Sequence, residues 1–287
     1  MTKSSHRPII ICADDYGLSD GICDAIEDLI DRRRLSATGA MTGLPAWRRR
    51  GAGLRTLIAR RPADIGLHLT LTEQRPVTSA PGLAEDGRLP AIGTLIRRVF
   101  SGALPRPAVR DELRAQLDAF EDVWGGPPDF VDGHQHAHLL PGIRDAVIEE
   151  IAMRYAGKAV WLRSCTESPV HAARRGVGFS KALVIGTLGL GLARAAARQG
   201  IATNDSFRGL YDFSDRLPYR DVFRAGIAGP GKRILMHCHP GHVDDELRAL
   251  DPLLEPRERE FSYLASEQCG EDMTEIGLRA GRFREVA

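Results

Sequence analysis

The sequence has little of several residue types, and each shortage argues against a class of protein. Five cysteines occur among 287 residues. No two of them lie at C-x-x-C spacing, so neither a disulfide framework nor a zinc ribbon is indicated. Aromatic residues make up 6% of the chain, too few for a broad stacking platform for glycans. The net charge is only +1, which argues against nucleic acid or acidic lipid as a bulk partner.

Long apolar runs are also missing. The segment 174–200 has an uninterrupted apolar part of about a dozen residues, whereas a bilayer span needs about 20, so we predict no transmembrane segment. We interpret this segment as a variable apolar and basic insertion that forms a packed helix pair, with a membrane-surface helix as the alternative. The N-terminal MTKSSHRP leads into IIICADD without the apolar stretch of a signal peptide, and we expect a cytoplasmic protein.

The chain alternates short apolar runs with longer amphipathic segments. The runs that we interpret as strands lie at 8–13, 36–43 and 63–71, and in DFVDGHQH, KAVWLRS and KRILMHC. Helical patterns follow Ser19, begin at Pro45, cover 109–125 and follow Pro141. Such strand–helix units predict an α/β fold, a single-domain distorted (β/α) barrel over 1–287 with about seven parallel strands and outer helices. The loop 73–93 is predicted to be a lid, and a homodimer is one assembly that the sequence allows.

Polar residues gather where the predicted strands end. The residues at these ends are Asp14, Asp15, His68, His134, His136, His138, His237, His239 and His242. Alone, Asp14-Asp15 could cap a helix, His68 could be a core histidine and MHCHPGH could be a turn. Because parallel strands end at one rim, the clusters together predict a metal-dependent active site. We expect the H-x-H-x-H spacing to place alternate rings on one side of an extended chain.

The residue types also indicate a chemistry. Two imidazoles and one carboxylate leave positions on a metal for water and substrate. Cys12 and Cys238 are expected to be small packed side chains rather than ligands. Because successive side chains diverge in an extended segment, one residue of Asp14-Asp15 can bind metal while the other acts as general base on metal-activated water. With a histidine to protonate a leaving amine, the pattern predicts hydrolysis of an amide or ester.

Four motifs, in order, carry a resemblance to a known family. ADDYGLS, GLHLTLTE, DGHQHAHLLPGI and CHPGH resemble motifs of the YdjC-like carbohydrate deacetylases, the family of chitooligosaccharide deacetylase and of the hopanoid-associated deacetylases. The resemblance extends from residue 8 to about residue 265. It implies a distorted barrel that removes acetyl groups from N-acetylated sugars with a divalent metal, generally magnesium.

The resemblance also implies roles for residues. The implied metal ligands are Asp15, His68 and His134. Asp14 is implied to be the general base and His239 the acid or a substrate contact, while the reverse assignment of Asp14 and Asp15 stays open. Arg163 is expected to orient a carboxylate, to hold substrate or to lie on the surface. The residues expected to contact substrate or to support the ligands are His136, His138 and His237.

Several alternatives remain at this point. One divalent ion is expected, and it is magnesium by family resemblance, whereas two imidazole ligands suit zinc or another transition metal better. Residues 165–230 depart most from the chitooligosaccharide enzymes, and the apolar and basic segment 174–200 within them suggests a lipid-linked or large amphiphilic N-acetylated carbohydrate as substrate. A metal-dependent phosphoesterase with His136, His138, His237 and His242 as further ligands is one alternative function. A non-catalytic sugar-binding relative is the other.

Overall fold

The computed structural model describes residues 6–175 and 179–286. Its strands are β1 (Arg7–Tyr16), β2 (Ala37–Ala40), β3 (Asp64–Leu69), β4 (Phe130–Gly133), β5 (Trp161–Leu162), β6 (Ser206–Arg208), β7 (Ile234–Cys238) and β8 (Leu278–Ala280). Its helices are α1 (Asp20–Asp31), α2 (Pro45–Arg60), α3 (Ile92–Phe100), α4 (Arg106–Trp124), α5 (Ile143–Arg154), α6 (Pro169–Arg175), α7 (Phe179–Arg198), α8 (Tyr219–Ile227), α9 (Asp245–Leu250), α10 (Glu255–Ala265), α11 (Glu267–Glu275) and α12 (Phe283–Val286). A short 3₁₀ helix covers His134–Leu139.

The strands form one curled parallel sheet. Seven of them run in the order β5-β4-β3-β2-β1-β7-β6, and the short β8 pairs with the start of β1. Between the edge strands β5 and β6, an isolated parallel bridge joins Leu162 to Thr203, and the Phe207 amide donates to the Thr166 carbonyl at 2.7 Å. The predicted α/β fold is confirmed as a single-domain, distorted half-barrel of parallel strands with helices around it.

Local sequence explains the main elements. Strand β1 is buried from Ile9 to Tyr16 because the central strand of a parallel sheet is covered on both faces. Ser19 caps α1 as predicted, since its side chain accepts a hydrogen bond from the Ile22 amide at 3.3 Å. Helix α4 ends at Gly125, whose φ of +80° provides the left-handed conformation that a helix end often requires.

The sheet register brings the polar strand ends together. His68 on β3 lies opposite Asp132 on β4. Further along the same sheet, Ala13 of β1 pairs with Cys238 of β7. Asp14 and His239, which come directly after these two residues, therefore lie at neighbouring strand ends. Residues far apart in the chain therefore converge at one rim of the sheet, as parallel strands dictate.

The helix pair predicted for 174–200 corresponds to the end of α6 and to α7, which pack together. Residues 176–178 of that segment lie outside the described residues. Helix α7 buries Leu192 and Ala196 but leaves Val184 62% exposed. Among the helices in the described ranges, none is both long enough and apolar enough to cross a bilayer.

Candidate metal centre and its pocket

Three predicted ligands meet at the rim. The Oδ1 atom of Asp15 lies 3.2 Å from Nε2 of His68 and 3.1 Å from Nδ1 of His134. These three residues form a group whose ligand atoms all lie within 4.8 Å of one another. All three side chains are buried. The arrangement is that of one carboxylate and two imidazoles converging on a single position.

The backbone at Asp15 turns its side chain away from the strand alternation. Asp15 has a φ of +69°, a left-handed conformation in which aspartate is more common than most residues. Its second oxygen accepts a hydrogen bond at 2.7 Å from Nη2 of Arg257, at the start of α10. The same Nη2 donates to Asp251 at 2.8 Å. Although burial opposes it, the Arg257 charge holds the pKa of Asp15 well below its usual range.

His68 is oriented from behind by Asp132. Its Nδ1 donates to Oδ1 of Asp132 at 2.6 Å, which leaves Nε2 facing Asp15. Burial works to lower the pKa of His68, but the carboxylates of Asp132 and Asp14 outweigh it and raise that pKa to about 10. A carboxylate behind a histidine ligand is a common feature of protein metal sites.

Asp14 faces a different set of groups. Both terminal nitrogens of Arg163 donate to its carboxylate, Nη1 at 2.8 Å and Nη2 at 2.5 Å. Despite burial, this arginine holds the pKa of Asp14 below its ordinary value. Nε2 of His239 lies 3.8 Å from Oδ2 of Asp14. The expected carboxylate-orienting position of Arg163 is observed. The surface alternative is wrong, because Arg163 is 0% exposed.

The charges favour a cation at the cluster. The buried ionic groups are Asp14, Asp15, Asp132, Arg163 and Arg257, none more than 2% exposed. With neutral histidines, these three carboxylates and two guanidinium groups leave one negative charge, which a proton on His68 offsets and which a bound cation would offset in its place. An oxygen and two imidazole nitrogens are suitable donors for a divalent transition metal. The residues present therefore fit the metal that the sequence predicts.

The expectation that the H-x-H-x-H rings share one side of an extended chain is wrong. Gln135 and His136 have φ values of 52° and 58°, and the 3₁₀ turn sends the three rings in different directions. His134 joins the ligand group. His136 borders the pocket with its ring centroid 5.7 Å from that of His237. His138 is fully buried, and its Nε2 donates to the Arg163 carbonyl at 3.0 Å.

The three histidines in and after β7 also lie in different places. His237 and His239 line the pocket, whereas His242 is exposed and packs on Phe261 with ring centroids 4.2 Å apart. Thus His242 does not reach the cluster. The Nδ1 of His237 donates to the Arg208 carbonyl at 2.8 Å.

A second group of candidate ligands surrounds the guanidinium group of Arg163. Cys12, Asp14 and Asp132 are the other residues, among those described, whose ligand atoms lie close together. Arg163 contacts both carboxylates, and its Nη2 donates to Sγ of Cys12 at 3.4 Å. Cys12 is buried, as the sequence predicts, and in addition it contacts the arginine of this ion pair. A guanidinium cation at this position argues against a second metal, and so against the multi-metal phosphoesterase.

The cluster lies at the bottom of a pocket of about 500 Å³. We call Asp14, Asp15, His68 and His134 the floor. A second part of the lining, which we call the apolar rim, comes from two helices: Ile92 and Ile96 on α3, and Val184, Ile185 and Leu188 on α7. The predicted lid 73–93 overlaps the start of α3 at Ile92. Glu73, at its other end, also lines the pocket and accepts a hydrogen bond from Gln135 Nε2 at 2.9 Å.

Sequence reasoning missed three buried residues around the floor. Asp132 lies within the motif DGHQH but received no role, and its register opposite His68 is a property of the sheet. Arg257 follows the last predicted strand and carries no motif. Glu260 on α10 accepts from the His239 amide at 2.6 Å and from the Tyr211 hydroxyl at 2.7 Å. Only Asp132, at a predicted strand end, had a signal that could have identified it.

The fold and the cluster define an α/β half-barrel protein with one carboxylate and two histidines converging at the carboxyl ends of its strands. The chain belongs to the YdjC-like protein family, whose model matches residues 8–275. The resemblance inferred from the four motifs is thereby confirmed.

Individual relatives cover nearly the full chain. It is 28% identical to a chitooligosaccharide deacetylase of Enterobacter sp. (strain 638), over 97% of this chain and 98% of that protein. It is 27% identical to a chitooligosaccharide deacetylase of Salmonella typhimurium, over 98% and 100%. A crystal structure from Enterococcus faecalis, of a protein provisionally described as a cellobiose-phosphate cleavage protein, superposes with a TM-score of 0.74 at 22% identity, over 98% of this chain and 99% of that one. That similarity supports the fold.

Proposed function

We propose that this protein is a metal-dependent hydrolase that removes the acetyl group from an N-acetylated sugar or oligosaccharide. The observation that carries the proposal is the floor of the pocket. There, the carboxylate of Asp14 is held by Arg163 beside the ligand group. It lies 3.8 Å from Nε2 of His239, which also lines the pocket. The named relatives, both chitooligosaccharide deacetylases, support the choice of an acetylated carbohydrate.

In this proposal Asp15, His68 and His134 hold one divalent ion. When bound, such an ion supplies Lewis acidity toward the acetyl carbonyl and toward water. The Asp15 oxygen faces both histidines, whereas both oxygens of Asp14 are held by Arg163. This difference favours Asp15 as ligand and Asp14 as base. The two imidazole donors favour zinc or another transition metal, and magnesium is what the family resemblance implies.

The remaining residues move the proton. Arg163 keeps Asp14 ionised, so that its carboxylate can take a proton from the attacking water. Burial lowers the pKa of His239 well below its usual value, so the ring is neutral before the reaction. We propose that the proton passes from Asp14 to Nε2 of His239 and then to the leaving nitrogen. Water oxygen joins the acetyl carbon, the C–N bond breaks, and acetate and an amine are formed.

The test is acetate release from a panel of N-acetylated oligosaccharides by protein reconstituted with Zn²⁺, Co²⁺ or Mg²⁺. We expect wild type to release acetate and Asp14→Asn to lose about 10²–10⁴-fold in turnover while it still binds metal. Asp64→Asn is the matched control. Asp64 is also buried, with 7% exposure, but it lies at the start of β3, whereas His68 and the ligand group lie at the other end of that strand. Release of phosphate from sugar phosphates without any acetate release would contradict the proposal.

We also propose that the substrate carries an apolar group, which includes a lipid-linked sugar. The support is the apolar rim, in which Ile96 and Val184 line the pocket although they are 40% and 62% exposed. Loop 73–93 is proposed to close over the bound substrate. With an alkyl-linked N-acetylglucosamine we expect Val184→Ser to lower kcat/KM by about tenfold, on the order of 1.4 kcal/mol of lost apolar contact.

Two controls define that experiment. The kcat/KM for a soluble chitooligosaccharide is expected to stay unchanged in Val184→Ser. Met153→Ser, at an apolar site on α5 that is 61% exposed and outside the pocket lining, is expected to affect neither substrate. Equal losses for both substrates in Val184→Ser would contradict a role in binding an apolar group.

We propose a cytoplasmic location and a homodimeric assembly as well. Five free, buried cysteines suit a reducing compartment. Fractionation of cells that produce the protein tests the location. Sedimentation of the purified protein tests the assembly, and a monomer at all concentrations would contradict the homodimer.

A further inference from the structure

Asp132 lies between the ligand group and the ion pair of Arg163 with Asp14. Its side chain is 0% exposed, at the end of β4. One oxygen accepts from Nδ1 of His68 at 2.6 Å, and the other contacts Nη2 of Arg163. Asp132 therefore touches a member of the ligand group and the arginine that holds Asp14, without lining the pocket itself.

The packing leaves this contact little freedom. Gly39, on the neighbouring strand β2, lies directly against it. A methyl group at Gly39 would stand 3.0 Å from Oδ1 of Asp132 and 3.0 Å from Nδ1 of His68, which is closer than ordinary van der Waals contact. Because Gly39 has no left-handed φ, alanine there would disturb the Asp132–His68 contact without straining the backbone.

We propose that Asp132 is a positioning residue that couples the metal ligand His68 to the base Asp14, an inference that rests on the proposed function. A carboxylate can only accept, so a hydrogen of His68 stays on Nδ1, and Nε2 is the ring nitrogen that faces Asp15 and the metal position. At the same time, the second oxygen fixes Arg163, which fixes Asp14. One buried carboxylate thereby sets the ring orientation of a ligand and the direction of the base.

Two substitutions separate these contacts. In Asp132→Asn, one side of the amide can still accept from His68, but the NH₂ group faces the nitrogens of Arg163, so two donors meet. Gly39→Ala disturbs the His68 contact and leaves the Arg163–Asp14 pair in place. Asp64→Asn again serves as the buried carboxylate control at the far end of β3.

The first measurement is Co²⁺ binding to metal-free protein, by competition with a chromophoric chelator and without any substrate. We expect the Kd to rise by about 10–100-fold in Asp132→Asn and by a smaller factor in Gly39→Ala. Asp64→Asn is expected to bind Co²⁺ as wild type does. Cooperative thermal melting of each variant verifies that it is folded.

The second measurement is acetate release at saturating metal. There we expect Asp132→Asn to stay slower than wild type, because Arg163 no longer holds Asp14, and Gly39→Ala to recover. Wild-type Co²⁺ affinity in Asp132→Asn would overturn the inference, and so would full turnover of that variant at saturating metal. If wild type binds Co²⁺ tightly and Asp132→Asn does not, yet no sugar releases acetate, the positioning of His68 stands and the proposed function fails.

Discussion

The floor and the apolar rim of the pocket are built in opposite ways. The floor consists of side chains from strand ends that are distant in sequence, and the arginines that hold it are 0–1% exposed. The rim comes from two helices, each a single stretch of chain, and its side chains stay partly exposed. A substitution in the floor breaks ion pairs that join several elements, whereas a substitution in the rim alters only the surface of one helix. The floor is therefore suited to fixing a chemistry and the rim to varying a substrate.

The largest effect is expected from Arg163→Met. This change leaves Asp14 and Asp132 buried without their counter-charge, so we expect the free energy of unfolding to fall by about 3–5 kcal/mol. Urea denaturation measures it. Arg114→Met is the comparison, since Arg114 pairs with Glu150 with its side chain 46% exposed, and we expect a loss below about 1 kcal/mol. Similar losses in the two variants would contradict the distinction between buried and exposed pairs.

Helix α7 provides the next comparison, because it supports the rim and also packs on the core. Leu192 is 0% exposed and Leu190 is 39% exposed on the same helix. We expect Leu192→Ala to lower the free energy of unfolding by about 3 kcal/mol and Leu190→Ala by much less. Chemical denaturation of the pair tests this. Equal effects would mean that α7 does not pack as described.

A smaller effect is expected from pH, through His138 beneath the floor. Burial lowers the pKa of His138 from 6.5 to about 4, although the carboxylate of Asp132 opposes it. The unfolded chain therefore binds this proton first as pH falls. The stability that this group contributes is complete above about pH 6.5 and is lost as the pH falls toward 4, by on the order of 3 kcal/mol.

Glutamine at position 138 does not titrate, and its amide can still donate to the Arg163 carbonyl. We therefore expect the free energy of unfolding of His138→Gln to depend less on pH than that of wild type between pH 6.5 and 4. Urea denaturation at several pH values compares them. Parallel curves for the two proteins would show that the pKa of His138 is the same in the folded and the unfolded chain.

The smallest effect on stability is expected at the rim itself. Because Val184 is 62% exposed, Val184→Ser should change the free energy of unfolding by less than about 0.5 kcal/mol. Thermal melting measures this. A large loss of stability would show that Val184 packs against the rest of the protein. The fall in kcat/KM could then not be assigned to a lost contact with the substrate.

Sequence patterns predicted the parts of the site that follow from strand ends. Asp14, Asp15, His68 and His134 were identified because parallel strands deliver their last residues to one rim. The directions of His136 and His138 were not predictable, since two left-handed residues interrupt the extended chain. Arg257 was not predictable either, because it reaches Asp15 across 242 positions of sequence, and only the packing of α10 on the barrel creates that contact.

The left-handed backbone at Asp15 has a consequence for protein design. A designer who transplants the carboxylate and the two histidines onto another scaffold would usually choose a regular strand end to carry the carboxylate. At a φ of +69°, however, the side chain leaves the main chain in a direction that no regular strand offers, and β-branched residues are strongly disfavoured there. The template to copy is therefore the turn from Asp15 to Leu18, closed by the Leu18 amide on the Asp15 carbonyl at 3.0 Å, and the side chains come second.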